Sequence, residues 1–66
     1  MKRWKSSFQE VMENKAIDIF LTEIIAVSKK HGFSISHEDG QGAFMVTEYT
    51  EGNSLWLWNA QDDTEG

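Results

Sequence analysis

The sequence predicts an α+β protein with a long N-terminal helix, a two-stranded antiparallel hairpin and a short C-terminal helix. Three observations lead to this prediction. Apolar residues recur at helical spacing from Ile17, two alternating stretches flank the pair Asp39-Gly40, and residues that can cap a helix precede "LWLW". The chain has 66 residues without a repeat or a linker, so we expect a single small domain over residues 1–66. Residues 1–6 and 62–66 are expected to be flexible.

The helix is the clearest element. Lys29, Lys30 and His31 suit the negative end of a helix, and Gly32 can adopt the left-handed cap. Its start is open to two interpretations. A capping box from Ser7 favours a helix over residues 7–31, kinked near Asn14, but Asn14 could equally cap a second helix that begins at Lys15. The apolar stripe that faces the core contains Ile17, Phe20, Leu21, Ile24, Ile25 and Val27.

The hairpin follows from the alternating stretches "FSISHED" and "AFMVTEY". Asp39-Gly40 is a strong signal for a two-residue turn, and it places Ile35 opposite Phe44. Moving the turn to Gly40-Gln41 would instead place Phe33 opposite Glu48. In the preferred register, Phe33, Ile35 and His37 face the core. The outward face then carries Ser34, Ser36, Ala43 and Met45.

The C-terminal segment contains "TEGNSLWLWNA". Thr50 or Asn53 can cap a short helix here, although "LWLW" would also suit a third buried strand. We prefer the helix over residues 54–60. On it, Trp56 is expected in the core, and Trp58 points to the other side.

The adjacent residues His37, Glu38 and Asp39 raise the question of catalysis or metal binding. Alternation sends His37 inward and Glu38 outward, and the turn holds Asp39, so the three do not converge. His31 could join a metal site only if the helix end folded over the hairpin. Ser36 lies on the face opposite His37 and cannot be activated by it. We therefore expect no enzymatic activity, no metal and no cofactor.

A binding site is a better interpretation of this region. In the preferred register His37 lies opposite Gly42, which leaves the imidazole uncovered in a notch at the turn end of the sheet. Glu38, Asp39 and Trp58 complete the candidate binding residues.

Charge separates the two halves of the chain. All six Lys and Arg residues lie within residues 1–30, whereas residues 31–66 contain seven acids and no Lys or Arg. The net charge of −5 argues against direct binding to duplex DNA and favours a partner with a basic surface. The absence of cysteine suits a reducing cytoplasm, and no apolar run is long enough for a membrane span.

Residues 20–60 resemble a widespread set of small phage-encoded proteins of unassigned function. These proteins share a helix that ends in K-H-G, a stretch like "SISHEDGQGAF" and a Trp-containing segment near the C-terminus. The resemblance implies a phage or prophage origin, hence the cytoplasm of a host cell. The function expected is binding to a host or phage macromolecule, in counter-defence or host takeover. The alternative is a protein that binds or sequesters a nucleotide signal.

Self-association is also expected, because a domain this small has little core and a two-stranded sheet leaves unpaired edges. We predict a homodimer or a small even-numbered oligomer. The predicted interface lies within residues 33–48, either edge to edge or through the outward face of Ser34, Ser36, Ala43 and Met45.

Overall fold

The computed structural model describes residues 1–65 and has two helices and two separate two-stranded antiparallel sheets. The α+β class is therefore confirmed. Within residues 1–65 no helix is long and apolar enough to cross a lipid bilayer. The elements in chain order are β1 (Lys2–Lys5), β2 (Glu10–Glu13), α1 (Lys15–His31), β3 (Phe33–Glu38), β4 (Phe44–Glu48) and α2 (Glu51–Trp58).

The N-terminal segment forms a hairpin, so the prediction of a helix from residue 7 is wrong. β1 pairs with β2, and Trp4 lies opposite Val11. Both ends of the ladder place a lysine opposite a glutamate, at Lys2–Glu13 and Lys5–Glu10. Opposite charges and an aromatic–β-branched pair both stabilise antiparallel strands. The Lys5 ammonium group, however, binds Asp62 and Thr64 and not Glu10, so contacts with the C-terminal segment also hold this hairpin.

The helix α1 begins and ends at residues that the sequence marks clearly. Asn14 is its N-cap, and its side-chain oxygen accepts hydrogen bonds from the amides of Ala16 and Ile17 at 3.1 and 3.3 Å. Gly32 ends it in the left-handed conformation, with φ of 78°. The alternative of a helix starting at Lys15 is therefore confirmed.

The hairpin of β3 and β4 has a different register from the preferred one. Phe33 lies opposite Glu48, and the strands shift register between Ser36 and Glu38, where His37 forms a bulge. The two-residue turn at Asp39-Gly40 is wrong. The loop is longer because Asp39 donates its amide to the Ala43 carbonyl at 2.8 Å, which leaves Gly40, Gln41 and Gly42 as the connection. Both of its glycines have positive φ, 89° and 93°.

The faces of this hairpin are also reversed relative to the prediction. Ser34 and Ser36 are buried, whereas Phe33 is exposed. The reason is that α2 lies over the serine face. The Ser34 hydroxyl accepts the Thr50 amide at 2.9 Å, and Asn53 donates to the Thr47 hydroxyl at 3.2 Å. Small polar side chains let this helix approach closely.

The short helix α2 confirms the prediction of a C-terminal helix, with Thr50 as its N-cap. The two tryptophans are reversed. Trp56 is 42% exposed and its ring stacks on His37, with ring centroids 4.3 Å apart. Trp58 is half-buried, and the Arg3 guanidinium lies 5.3 Å from its ring centroid. The expectation that Trp56 belongs to the core is therefore wrong.

Buried charges join the N-terminal hairpin to the C-terminal segment. Arg3 donates to the carbonyls of Trp58 and Ala60, both at 2.8 Å, and to the Asp18 carboxylate at 2.6 Å. Lys5 lies 3.4 Å from the Asp62 carboxylate, with both side chains buried. These contacts tie residues 2–5 to residues 58–64. The predicted flexibility of residues 1–6 and 62–65 stays a prediction, and Gly66 lies outside the described residues.

The apolar core is small. Among residues 1–65, Leu21 is the single buried hydrophobic residue, at 5% exposure. Most of the stripe predicted to face the core is half-buried or exposed instead. The packing of α1 against β3 and α2 therefore leaves a large apolar surface in water.

Candidate functional site

An apolar groove runs between α1 and the hairpin of β3 and β4. It has a volume of about 430 Å³. Its helix wall consists of Phe20, Ile24 and Val27, which share one side of α1 by their spacing of four and three residues. Its sheet wall consists of Phe33, Ile35 and Val46, which share one face of the hairpin by its register. We call this surface, formed by these six residues, the apolar groove.

The apolar groove is open to solvent along most of its length. Phe20, Val27, Phe33 and Val46 are each more than half exposed. The exposed apolar surface therefore extends over both walls of the groove. The sequence pattern identified these residues as apolar, but it assigned the helix residues, Phe33 and Ile35 to the core. The apolar pattern alone carries no signal for which of these residues stay exposed.

The polar residues that border the apolar groove are Glu23, Ser28, His31 and Ser34. The Ser28 hydroxyl donates to the Ile24 carbonyl at 3.0 Å. The Ser34 hydroxyl accepts the Thr50 amide. Both hydroxyls are thus engaged within the chain, and the walls of the groove present mainly apolar side chains.

The sequence-predicted binding residues do not form the expected notch. His37 lies in the bulge, stacked on Trp56, and Glu38 lies opposite Phe44. Gly42 belongs to the loop with positive φ and does not face His37 across a strand. The Asp39 carboxylate accepts the amide of Gln41 at 2.8 Å, which makes Asp39 a turn residue, as its position in the sequence suggests.

A second depression of about 450 Å³ lies at the turn end of the hairpin. It is lined by Ile35, Ser36, Glu38, Phe44 and Trp56. Glu38, one of the predicted binding residues, therefore borders this depression. Trp58 lies elsewhere, because Arg3 covers its ring and bonds to its carbonyl. In the part of the chain that the structure describes, no three His, Asp or Glu residues are grouped to hold a metal ion.

Of the four residues predicted for the oligomer interface, two are buried within the chain and two are exposed. Ser34 and Ser36 are buried under α2 within the chain and cannot meet a second copy. Ala43 and Met45 are exposed at the loop and on β4. The interface stays a prediction, and of its four residues the single chain exposes those on the β4 side of the hairpin, Ala43 and Met45.

The pKa values of two carboxyl groups are lowered. Hydrogen bonds from the hydroxyl and amide of Thr64, and then from Asn14, hold the pKa of Asp62 far below its usual range. Hydrogen bonds from the N-terminal amine and from Arg3 lower the pKa of Asp18. Both groups stabilise the junction of the two termini, away from the apolar groove.

Burial changes the charge that the surface presents. Arg3 and Lys5 are buried beside carboxylates, which leaves Lys2, Lys15, Lys29 and Lys30 as the exposed basic side chains. Nine acidic side chains are exposed over residues 1–65: Glu10, Glu13, Glu23, Glu38, Asp39, Glu48, Glu51, Asp63 and Glu65. The surface that a partner meets is therefore strongly acidic.

No protein-family model, curated protein or solved structure matches this chain. The function has to be inferred from the groove, the surface charge and the strand edges of the chain itself.

Proposed function

We propose that this chain is a non-enzymatic binding protein. Its apolar groove takes an apolar segment, flanked by basic residues, of a host or phage macromolecule. The observation that carries this proposal is the groove itself, because four large apolar side chains stay more than half exposed along it. A partner that covers them gains the hydrophobic free energy that the isolated chain does not realise.

The total exposed area supports a missing partner. A compact protein of 7.6 kDa is expected to expose about 4,300 Å². This chain exposes 4998 Å². The excess of about 700 Å² is close to the roughly 800 Å² that one partner contributes to a standard protein–protein interface.

The surface charge selects the chemistry of that partner. Nine exposed acidic side chains stand against four exposed lysines, and Glu23 borders the apolar groove itself. Glu48 lies on the same face as Phe33 by the strand register. Basic residues on both sides of an apolar anchor would complement this border and speed association at low salt.

Selection from a random peptide library displayed on phage tests this proposal. The immobilised chain should enrich peptides that combine bulky apolar residues with Lys or Arg. A selected peptide should bind less tightly at high salt than at low salt, because the charges involved are exposed.

Two matched variants locate the binding site. Val27 and Ile19 are both β-branched, lie on α1 and have similar exposures of 57% and 61%, but only Val27 lines the groove. Val27→Asp should weaken peptide binding at least about tenfold, since a buried, unpaired carboxylate costs more than 1.4 kcal/mol. Ile19→Asp should bind as the unmodified chain does. Equal loss in both variants, or peptides without basic residues, would contradict the proposal.

The alternative of a nucleotide-signal binder has less structural support, because His37 and Gly42 do not form the notch on which it was based. A thermal-shift screen against a nucleotide panel separates the two functions. A ligand at 100 times its Kd raises stability by about 2.7 kcal/mol, and such a shift would favour the alternative.

A further inference from the structure

The strand β4 forms an open edge of the second sheet. Among residues 1–65, β3 is the one strand that pairs with β4, and α2 reaches β4 through the hydrogen bond from Asn53 to the Thr47 side chain. Phe44, Met45 and Val46 are all exposed, and β4 contains neither lysine nor proline. Natural sheets usually protect such edges with those residues or with a covering element. Within residues 1–65 no helix or strand pairs with the outer edge of β4.

The backbone of β4 presents hydrogen-bonding groups on this open side. The Tyr49 amide donates to Gly32 and the Ala43 carbonyl accepts from Asp39, so odd-numbered residues point their polar groups toward β3. By the alternation of antiparallel strands, Phe44, Val46 and Glu48 point theirs away from β3. Of these groups, the Glu48 carbonyl accepts the neighbouring Thr47 hydroxyl, at 3.0 Å. The other outward-pointing amide and carbonyl groups of β4 are directed to its open side, where another strand could pair with them.

A second copy of β4 fits this edge in one register. A two-fold axis sets one residue of β4 opposite its own copy, and axes at Met45 or Thr47 would pair only three residues of each β4 strand with the other. An axis at Glu48 would place two glutamates opposite each other, which is unfavourable. An axis at Phe44 would set the other four residues of β4 opposite residues 40–43, which belong to the loop and not to a strand. An axis at Val46 pairs all five residues, with Glu48 opposite Phe44 and Thr47 opposite Met45 of the second copy.

We propose that two copies of this chain pair their β4 strands antiparallel about Val46, which forms a continuous four-stranded sheet in the order β3-β4-β4-β3. The inference rests partly on the proposed function, because it extends the same binding surface. Phe44 and Val46 lie on the face that carries Phe33 and Ile35. Each copy therefore contributes two apolar side chains beside the groove of the other.

The dimer also explains why the apolar surface is larger than one groove needs. A ladder of five residues covers only part of the excess area, so both grooves stay open for ligand on one sheet face. Two grooves related by the two-fold axis suit a partner that offers two apolar and basic segments. Binding both at once would raise the affinity through the high effective concentration of the second segment.

Single cysteines test the register, because the chain has no cysteine of its own. Val46→Cys should form a disulfide-linked dimer under mild oxidation, since residues on the axis lie about 5.5 Å apart at Cα, within the range that a disulfide bridges. Phe44→Cys mixed with Glu48→Cys should form the mixed dimer. Val27→Cys is the control, because it is exposed on α1 away from the edge, and it should link much more slowly.

The mass in solution completes the test. Sedimentation should give about twice the chain mass of 7.6 kDa for the unmodified chain and for Val27→Asp. Val46→Lys should give a monomer, because two lysines would meet on the axis. A monomeric unmodified chain, or linkage of Val27→Cys as fast as Val46→Cys, would overturn the inference. If the unmodified chain is a monomer that binds the selected peptide, and Val27→Asp does not bind it, the proposed function stands without the dimer.

Discussion

Replacing Leu21 by Ala should destabilise the chain more than replacing the neighbouring Phe20 by Ala, which is the reverse of the usual order for these two residue types. Replacing a buried Phe by Ala usually costs about as much as or more than replacing Leu. Here Leu21 is 5% exposed and Phe20 is 60% exposed. Leu21→Ala should lower the free energy of unfolding by about 3 kcal/mol, from the lost transfer free energy and the cavity. Phe20→Ala removes a side chain that is only about 40% buried, which is worth about 1 kcal/mol.

The assay is urea unfolding followed by circular dichroism, at a protein concentration where all variants have the same oligomeric state. A 66-residue domain has a stability of about 3–10 kcal/mol, so Leu21→Ala removes a large part of it. On thermal melting the same loss corresponds to a fall in Tm of more than about 12 °C, against about 4–8 °C for Phe20→Ala. A larger loss for Phe20→Ala would show that Phe20 is covered within the folded chain, and the groove would then not exist as described.

Three further perturbations test the termini and caps. Asp62 and Asp18 have lowered pKa values when folded, so the unfolded chain binds more protons in acid. The free energy of unfolding should be constant above about pH 4 and should decrease as the pH drops toward the pKa values of the two carboxyl groups in the folded chain. Asp62→Asn should make this decrease smaller, as measured by the urea midpoint at a series of pH values. Asn14→Ala should cost about 1 kcal/mol in urea unfolding, because two amides of α1 lose their acceptor, and an unchanged midpoint would contradict the cap. Gly32→Ala should lower the Tm, since φ is 78°, whereas Gly52→Ala within α2 should raise it, and equal shifts would refute the assignment of the cap.

The sequence predicts the elements whose signals are local. Asn14 and Gly32 bound α1 through hydrogen bonds and backbone conformation that depend on a few neighbouring residues. Thr50 caps α2 in the same way. These signals survive folding because no distant contact competes with them. The C-terminal helix and the end of α1 could therefore be placed to within a few residues.

The N-terminal hairpin could not be predicted because its stability comes from distant residues. Arg3 and Lys5 alternate on one side of β1 and are buried against residues 58–64. No pattern within the first 15 residues reveals that these cations meet the C-terminal segment. The capping box from Ser7 is the stronger local signal, but no helix forms there, because residues 2–5 and 10–13 are strands.

The candidate site was missed for a related reason. Periodicity identifies which residues are apolar, but it does not say how many of them the chain can cover. The two faces of β3 were assigned by hydrophobicity, although Ser34 gains a hydrogen bond to Thr50 that places α2 on the polar face. That single contact leaves Phe33 and Ile35 on the opposite face, where they form the apolar groove with α1.

Glu48 and the excess of exposed acids together explain how β4 can pair in one register although its edge has no lysine or proline. A free apolar edge invites open-ended pairing, and the usual protection is a lysine or proline on the strand. This chain instead places Glu48 at the end of β4, so that registers which bring two copies of Glu48 together are disfavoured, while the register about Val46 sets Glu48 opposite Phe44. Its excess of exposed acids repels random association of further copies. Glu48→Ala should therefore preserve the dimer but also admit the register about residue 48, so that Thr47→Cys mixed with Tyr49→Cys forms a mixed dimer in that background. Strict retention of the Val46 register in Glu48→Ala would show that the loop geometry, and not the charge, selects it.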